Sequence, residues 1–524
     1  MKHSKYYLGV LLIIILCVFL RFFMLTQKSL WGDEGFSIYF SDGSNPQEVI
    51  ARILSAESGD RFQPLYYLIL FYWRQVFGDS EFALRSLPAF LGVGTVIVLF
   101  CTALQVYGKK HALWSVTLVA VSSFGVYYSQ LGRAYALLMF LAALQLFFFS
   151  KALNKEDTHG EFIWRLLFWI VTGLGLFCSI FIGIFALSLC VSYILVYRNP
   201  KRWLQWYLPL ALFCVPGILF YVSSPVATTP TKVLVTQLRQ PIIQNLVFVI
   251  YGLLVGETYG PPIEDLRGGD NRIRILLNYW PELTVLLLVA IPISISLVLV
   301  LVRNLRQQSK SNKYQKADYF FTSVFAISFF LALLFSIATK VNLLPRHCFY
   351  IYMPLVVVIP MVVRKKYRNI KRFKLIFNYA QAAIIGLAIL NIYSLYNYYF
   401  VKKYEREDYR FAAQYLLANQ EPSVKSVLLY GSARLLTYYG DTMTLDGTES
   451  MWGKAALAEK VKSLTNGSET VIIAINNETD WERRTKVSVE TAMSDSYILK
   501  SKISFTNFNM YHFVRKQKKV QLYR

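Results

Sequence analysis

Apolar stretches of about bilayer length recur along this chain and are separated by short polar segments. A helix needs roughly 17 to 25 mostly apolar residues to cross the hydrocarbon core of a membrane. The hydrophobic pattern therefore predicts a polytopic α-helical membrane protein with about 11 spans. The predicted spans are residues 6–25, 82–106, 112–128, 134–150, 162–177, 180–197, 203–222, 283–302, 319–338, 349–363 and 375–398.

Two further apolar stretches, residues 64–77 and 242–255, are short for a straight helix to cross. The basic residues decide their placement, because loops rich in Lys and Arg stay on the cytoplasmic side. If the N-terminus is cytoplasmic and both stretches lie outside as membrane-surface or re-entrant helices, every basic cluster falls inside. The pattern predicts a multi-pass protein of the plasma (inner) membrane with an extracytoplasmic C-terminus. The clusters are Lys109 and Lys110; Lys151 and Lys155; Arg198, Lys201 and Arg202; residues 303–316; and residues 364–374.

Composition agrees with this interpretation. The 524 residues are 55% hydrophobic and 16% charged, with a formal net charge of +24. In a soluble protein that surplus suggests nucleic acid, but here the basic residues lie between apolar runs, so we predict no nucleic-acid partner. The six cysteines lie in or beside apolar runs without metal-ligand spacing and are interpreted as packing residues. Arg21 and Trp31, near the end of the first span, are interpreted as interface anchors.

The composition changes after residue 398 to that of a soluble domain. Amphipathic helices are predicted at residues 408–418, 454–464 and 481–493, and short strands at 426–430, 470–475 and 503–514. The sequence thus divides into a transmembrane module, residues 1–399, and a small extracytoplasmic α/β domain, residues 400–524. Within the module, residues 26–81 form the first outer loop and residues 223–282 a middle loop.

Ionizable side chains gather in the loops predicted to face outward. The first loop begins with Trp31, Gly32, Asp33 and Glu34 directly after the first span. Charged groups near hydrocarbon are costly, and they are usually functional when they face a shared cavity. We therefore take these loops as the candidate site. Its other polar members are Arg61, Gln63, Arg85, Gln130, Arg133, Tyr135, Arg346 and His347.

Paired carboxylates opposite several arginines suit one kind of chemistry. A carboxylate takes a proton from an attacking hydroxyl while guanidinium groups hold a phosphate leaving group. The loops contain no Ser-His-Asp set, His-rich zinc site or nucleotide-binding loop. Two alternatives stay open for Asp33 and Glu34: they offset the dipole of a surface helix, or they bind a divalent metal.

Four motifs carry a resemblance to a known family. They are Trp-x-Asp-Glu at 31–34, Pro-Leu-Tyr-Tyr-Leu at 64–68, Phe-Gly-Asp-Ser-Glu-Phe-Ala-Leu-Arg-Ser-Leu-Pro at 77–88, and Tyr-Ser-Gln-x-x-Arg-x-Tyr at 128–135. Together they resemble the GT-C glycosyltransferases, in particular the group around the protein O-mannosyltransferases and the lipid A aminoarabinose transferase. The resemblance covers residues 6 to about 150 and returns at Pro345 and Arg346.

The resemblance implies a GT-C fold and an inverting glycosyltransferase. Such an enzyme moves a sugar from a polyprenyl-phosphate-linked donor to a lipid, glycan or protein acceptor on the outer face of the membrane, among membrane lipids. Asp33 and Glu34 match the family's catalytic carboxylates. No cofactor is implied with certainty, and a divalent metal on these two acids stays open. We assign Arg133, Arg346, Arg61 and Arg85 to donor phosphate, and Gln63, Tyr135, Gln130 and His347 to sugar or acceptor contacts.

Two other classes of protein fit parts of the pattern. A transporter of lipid-linked sugars would need ionizable groups or broken helices near the membrane midplane, whereas the ionizable groups here lie towards one surface. A non-catalytic scaffold of polysaccharide assembly could keep the fold without the acids, and this chain has them.

Overall fold

Helices dominate the computed structural model of the chain. It describes residues 3–56, 58–154, 159–197, 200–223, 242–262, 272–306, 313–339, 343–363, 374–440, 445, 447–448, 468–476, 478, 482, 488–494, 496–506 and 508–516. The α-helices are His3–Phe22, Gly32–Phe40, Pro46–Leu54, Pro64–Phe77, Glu81–Tyr107, Lys109–Ala120, Ser123–Ser129, Tyr135–Asn154, His159–Leu176, Ile180–Val196, Pro200–Val222, Ile242–Val255, Arg272–Asn278, Trp280–Arg306, Lys313–Thr339, Phe349–Val358, Lys374–Phe400, Tyr409–Ala418, Ala433–Tyr439 and Val489–Met493. Short 3₁₀ helices are Gly59–Phe62, Pro345–His347, Ile359–Val363 and Lys402–Tyr404.

The long apolar helices make this a multi-pass membrane protein. Among the described residues, seven helices are long and apolar enough to cross a bilayer, or eight if one bent pair forms a single span. The predicted number of about 11 spans is not confirmed, since other apolar helices, such as Ile180–Val196, are shorter. The predicted short segments appear as the helices Pro64–Phe77 and Ile242–Val255. Of the basic clusters, Lys155, Arg198 and residues 307–312 and 364–373 lie outside the described residues.

The predicted span 112–128 is two helices rather than one straight helix. Lys109–Ala120 and Ser123–Ser129 are bent by 55° at the break. The Ser122 hydroxyl accepts a hydrogen bond from the Gly125 amide, as an N-cap residue does at a new helix start. Arg21 donates to the carbonyls of Val119 and Ala120, which end the preceding helix. Arg21 is therefore not an interface anchor: its side chain is buried and stabilises the break.

A labelling experiment tests which apolar helices cross the membrane. Ser44 and Lys110 are both exposed, and the helices Pro64–Phe77 and Glu81–Tyr107 lie between them in the chain. If only Glu81–Tyr107 crosses, the two positions lie on opposite sides. We expect Ser44→Cys to react with an impermeant thiol reagent added to intact cells, and Lys110→Cys to react only after permeabilisation. Reaction of both in intact cells would mean that Pro64–Phe77 also crosses.

Contacts divide the chain into two compact units. The first comprises Met1–Leu25, Phe40–Pro261 and Ile273–Tyr399, and the second Thr26–Tyr39, Pro262–Arg272 and Phe400–Arg524. The first unit contains the long apolar helices. The second groups the C-terminal region with a short segment that follows the first membrane helix in sequence. The predicted boundaries of independent domains stay a prediction.

The second unit contains a five-stranded mixed sheet. The strands are β1 (Val424–Tyr430), β2 (Gly447–Thr448), β3 (Thr470–Asn476), β4 (Tyr497–Phe505) and β5 (Phe508–Arg515), in the order β2-β1-β3-β5-β4. The first two pairings are parallel and the last two antiparallel. Val427, Ile473 and Tyr511 belong to the buried core of this sheet. The predicted small C-terminal α/β domain is therefore present.

Predictions of secondary structure in the second unit are correct where one stretch of sequence forms a single helix or strand. The predicted helix 408–418 is Tyr409–Ala418, and the Asp408 carboxylate caps it by accepting from the Phe411 amide. The predicted strand 503–514 is wrong, because it joins the end of β4 to β5 across a hairpin. Of the predicted helix 481–493, Val489–Met493 is described as helix. The predicted helix 454–464 lies outside the described residues.

Candidate active site

The first unit contains a cluster of polar side chains that centres on a buried ion pair. An oxygen of Asp60 lies 2.7 Å from Nη2 of Arg133, and each side chain is less than a tenth exposed. Tyr67 donates its hydroxyl proton to the same Asp60 oxygen, and Nη1 of Arg133 donates to the Tyr67 oxygen at 3.1 Å. Ser58 donates to the other Asp60 oxygen at 2.9 Å. The guanidinium group of Arg133 is thus held in one orientation by two partners.

The surroundings of the Asp60 carboxyl shift its pKa in opposite directions. Burial raises its pKa, but the Arg133 cation and the hydrogen bonds from Tyr67 and Ser58 outweigh burial and hold the pKa below its usual range. Asp60 is therefore a carboxylate at neutral pH. It serves as the counter-ion of Arg133, a role that suits orientation better than proton transfer.

A second cluster in the same unit contains Arg346 and an acid that the sequence analysis missed. The Arg346 guanidinium carbon lies 5.9 Å from the ring centre of Tyr135, a cation–π arrangement. Tyr135 packs edge-on against Tyr128, whose hydroxyl donates to the Glu257 carboxylate. Glu257 is buried. The structure therefore brings together Tyr135 and Arg346, two predicted site residues that are far apart in sequence, and adds Glu257.

Backbone constraints hold the segment that carries Glu257. Gly256 has a φ of +76°, and a Cβ there would lie 2.5 Å from Oγ of Ser123, so only glycine fits without strain. Thr258 donates to the carbonyl of Ser394 at 2.8 Å, and Asn397 donates to the carbonyl of Thr258 at 2.9 Å. These bonds connect Thr258, the residue after Glu257, to the helix Lys374–Phe400.

His347 occupies a constrained position beside Arg346. Its Nδ1 accepts a hydrogen bond from the Leu344 amide at 3.2 Å, and its ring stacks on Phe181 with centroids 5.7 Å apart. Burial, and then the Arg346 cation, lower the pKa of His347 to about 3. The ring is therefore neutral at physiological pH, and its Nδ1 already accepts a hydrogen bond from the Leu344 amide.

Acid should destabilise the protein through His347. The unfolded ring has a pKa near 6.5, so between about pH 6.5 and pH 3 the unfolded state binds more protons than the folded state. Stability attributable to the neutral ring is therefore complete above pH 6.5 and falls as the pH drops. We expect a loss on the order of 1 to 2 kcal/mol at pH 5. Melting of the purified protein from pH 7.5 to 5 measures it, and His347→Gln should flatten this dependence. An equally steep profile in that variant would assign the effect to other groups.

The remaining predicted residues of this unit contact the protein itself. Gln130 donates its side-chain amide to the carbonyls of Arg21 and Phe23 at 3.2 and 2.9 Å. Arg61 donates to the carbonyl of Leu54, and Arg85 to that of Leu25 at 3.0 Å.

Gln63 differs from these residues. It lies between the 3₁₀ helix Gly59–Phe62 and the helix Pro64–Phe77, and its amide nitrogen in the backbone donates to the carbonyl of Asp60 at 2.9 Å. Its side-chain oxygen is buried and has no hydrogen-bond partner among the described residues. Buried polar atoms are nearly always paired, so an unpaired carbonyl oxygen suits a ligand donor.

The two predicted catalytic carboxylates belong to the second unit. They occupy the first turn of the helix Gly32–Phe40, where negative charge complements the helix dipole. Glu34 is fully buried, and its Oε2 accepts a hydrogen bond from the Trp31 amide at 3.2 Å. This is the reciprocal half of a capping box. Asp33 is partly exposed. Glu34 thus fixes the first turn of the helix, and the catalytic, dipole-offsetting and metal-binding interpretations of the pair stay predictions.

Two acids that the sequence analysis missed, Asp60 and Glu257, lie in loops predicted to face outward. Asp60 lies next to Arg61 in the first outer loop, and that position is the signal that could have indicated it. Glu257 lies in the middle loop, just after a short apolar helix, and that position was the one available signal. For metal binding, no group of three or more His, Cys, Asp or Glu side chains is gathered within the described part of the chain.

Comparison with known proteins identifies the class of fold. The chain has the GT-C fold of membrane glycosyltransferases, and it resembles the protein O-mannosyltransferases and ArnT. A family model described as dolichyl-phosphate-mannose-protein mannosyltransferase matches residues 63–227. The predicted resemblance is thus confirmed. A search of curated protein sequences finds no match.

Solved structures agree with this assignment. ArnT from Cupriavidus metallidurans bound to undecaprenyl phosphate is 12% identical, with a TM-score of 0.55 and 98% of each chain covered. The same protein in the apo state has a TM-score of 0.57, with 12% identity and coverages of 96% and 97%. The oligosaccharyltransferase AglB from Archaeoglobus fulgidus, in complex with an inhibitory peptide and a dolichol-phosphate, is 14% identical, with a TM-score of 0.52. That match covers 100% of this chain and 76% of AglB.

Proposed function

We propose that this protein is an inverting glycosyltransferase of the plasma membrane. It transfers a sugar from a polyprenyl-phosphate-linked donor to a lipid, glycan or protein acceptor on the outer face of the membrane. The N-terminus is cytoplasmic, and the C-terminal domain, residues 400–524, is extracytoplasmic. The observation that carries the proposal is the acidic pair at the start of the helix Gly32–Phe40, in which Glu34 is fixed by its cap and Asp33 stays accessible.

The lipid-linked donor is supported by two solved structures with the same fold. One is ArnT bound to undecaprenyl phosphate, and the other is AglB in complex with an inhibitory peptide and a dolichol-phosphate. Both lipids are polyprenyl phosphates, which is the part of the donor that leaves in the reaction. The sugar and the particular acceptor differ among proteins of this fold and are left unassigned.

The reaction is a single displacement at the anomeric carbon. The oxygen of the acceptor hydroxyl attacks this carbon while Asp33 takes the hydroxyl proton as general base. The bond between the anomeric carbon and the phosphate oxygen breaks, and its electron pair leaves with the polyprenyl phosphate. Because the new bond forms opposite the broken one, the anomeric configuration inverts. Glu34 orients the first turn of the helix that carries Asp33.

Stabilising the leaving phosphate requires fixed cations. We assign this role first to Arg133 and Arg346, because each is held by neighbouring side chains, Arg133 by Asp60 and Tyr67 and Arg346 by Tyr135. Preorganised charge needs no rearrangement when negative charge develops on the leaving group. Arg61 and Arg85, which donate to the backbone carbonyls of Leu54 and Leu25, are assigned secondary phosphate contacts.

Sugar and acceptor contacts are assigned by hydrogen-bonding capacity. The side-chain oxygen of Gln63 suits a sugar hydroxyl, since it is buried and unpaired among the described residues. Tyr135 offers a ring face for a sugar. Gln130 and His347 are assigned a supporting role, because their side chains bond to the backbone of Phe23 and Leu344. A divalent metal on Asp33 and Glu34 stays open.

The product balance separates a transferase from a transporter. Membranes containing the protein are incubated with the lipid-linked sugar fraction of the same cells, and released polyprenyl phosphate and newly glycosylated acceptor are measured together. A transferase produces the two in equal amounts. Mass analysis of envelope glycans from cells with and without the gene then identifies the sugar and the acceptor. Movement of intact lipid-linked sugar across the membrane without release of polyprenyl phosphate would overturn the proposal in favour of transport.

A further inference from the structure

The helix that carries the acidic pair is bound along its length by the C-terminal part of the second unit. Nearly all of this helix lies in the segment Thr26–Tyr39, which follows the first membrane helix in sequence. The contacts of this segment group it with Phe400–Arg524. The contacts fall before, within and after the turn that contains Asp33 and Glu34. We propose that the C-terminal region positions the catalytic carboxylates, and that the helix Ala433–Tyr439 is the main positioning element.

Bonds from the C-terminal region hold the chain before the acidic turn. The Leu30 amide donates to the hydroxyl of Tyr439 at 2.8 Å. Arg410 donates from its guanidinium to the carbonyl of Thr26 at 2.9 Å. The Arg406 guanidinium lies 4.5 Å from the ring centre of Trp31. The approach to Asp33 is therefore held by partners that lie about 375 to 410 residues away in sequence.

Close packing fixes the middle of the helix. Gly35 follows Glu34 directly, and a Cβ placed there would lie 2.8 Å from Oγ of Ser432 and 3.1 Å from Cγ of Leu435. Glycine thus permits an approach that no other residue allows without a shift. At the far end of the helix, the Arg434 guanidinium stacks 3.4 Å from the ring centre of Tyr39. Three neighbouring residues around the start of Ala433–Tyr439 therefore contact both halves of the acidic helix.

The contacts with the C-terminal region affect the reaction rate because a general base must be placed accurately. A general base must lie within hydrogen-bond reach of the hydroxyl it deprotonates, and displacement by about 1 Å costs about 100-fold in rate. The first turn of a nine-residue helix has little rigidity of its own. An external support along one face supplies the rigidity. Ser432, Arg434 and Leu435 are therefore positioning residues rather than catalytic ones.

Gly35→Ala tests the packing contact. Alanine has the higher helix propensity, so weakening of the helix itself cannot explain a loss. We expect kcat to fall about 10- to 100-fold, because the acidic turn must move away from Ser432. The KM for the donor and the binding of polyprenyl phosphate should be unchanged. Gly9→Ala is the matched control, since a Cβ at Gly9 has nothing within 4 Å. Ser432→Ala removes the closest atom, so the double variant Gly35→Ala/Ser432→Ala should recover most of the lost kcat.

A second substitution keeps the test decisive if Gly35→Ala does not fold. Arg434→Ala removes the stack on Tyr39, and we expect kcat to fall severalfold with donor binding intact. Lys502→Ala is its control, because Lys502 is also a cation over a tyrosine ring in this unit, 4.8 Å from that of Tyr511. Its loss should leave kcat unchanged.

This inference rests on the proposed function, and the outcomes separate the two. If Asp33→Asn is inactive while Gly35→Ala and Arg434→Ala both keep the wild-type kcat, the positioning role is overturned and the glycosyltransferase stands. If Asp33→Asn keeps the wild-type kcat, the proposed base itself is wrong. Recovery of kcat in the double variant, with Asp33→Asn inactive, supports both.

Discussion

Replacing Asp33 by asparagine is expected to lower turnover by about 10² to 10⁴-fold, the usual contribution of a general base. An acceptor hydroxyl is a weak nucleophile at neutral pH, and asparagine cannot take its proton. The substitution keeps size and shape, so the protein should fold and insert normally. Turnover and the binding of polyprenyl phosphate are measured in one membrane preparation, and only turnover should change.

Glu34→Gln is the matched comparison for Asp33→Asn. Glu34 is buried and accepts a hydrogen bond from the Trp31 amide, and the amide oxygen of glutamine can accept the same bond. We therefore expect a smaller loss than in Asp33→Asn. Nearly normal turnover in Asp33→Asn with an inactive Glu34→Gln would transfer the role of base to Glu34. Nearly normal turnover in both would end the assignment of a carboxylate base.

The arginine of the buried ion pair should have the next largest effect. Removing a phosphate contact from a site shielded from water is expected to cost about 2 to 4 kcal/mol in the transition state, or roughly 30- to 1000-fold in turnover. Arg133→Ala alone leaves the Asp60 carboxylate buried without its cation, which destabilises a protein by about 3 to 5 kcal/mol. Activity loss in that variant would therefore mix catalysis with folding.

The double variant Asp60→Asn/Arg133→Ala separates the two effects. It removes both charges of the pair, so its melting temperature should lie above that of Arg133→Ala, while its turnover stays low. Asp60→Asn alone keeps the guanidinium and should retain most of its turnover. Arg133→Lys keeps the charge beside Asp60 but loses paired contact with phosphate, and an intermediate turnover is expected. Wild-type turnover in the double variant would leave Arg133 with a structural role only.

Several elements follow from local sequence because local physics determines them. Apolar runs long enough for a bilayer predict membrane helices, and the short runs appear as Pro64–Phe77 and Ile242–Val255. Strand β3 consists of β-branched and small apolar residues except for its last residue, Asn476, and the predicted strand 470–475 matches it nearly to its ends. The number of spans is less certain from sequence, because helices shielded by neighbours can be short and a single apolar run can break, as at Ser122.

In the candidate site, too, the sequence indicates some residues and only the structure shows their partners. Asp33, Glu34, Arg133 and Arg346 were selected from the sequence because charged residues beside apolar runs are rare and conspicuous. Their partners were not selected. Asp60 lies 73 residues from Arg133, and Glu257 lies 129 residues from Tyr128, so no local pattern relates them. A glutamine such as Gln130 has the same identity whether it contacts a ligand or the backbone of Phe23.

The sequence by itself determined the class of protein, the principal membrane helices, a small C-terminal α/β region and the charged residues of the candidate site. Each of these depends on hydrophobicity or charge within a short window, which is a property of the chain before it folds. Only the tertiary structure decided the pairing of Arg133 with Asp60, the placement of Glu257, and the packing of Gly35 against Ser432 and Leu435. These depend on the approach of distant segments to within a few ångströms. That approach is decided by how whole helices pack, and no local sequence window contains it.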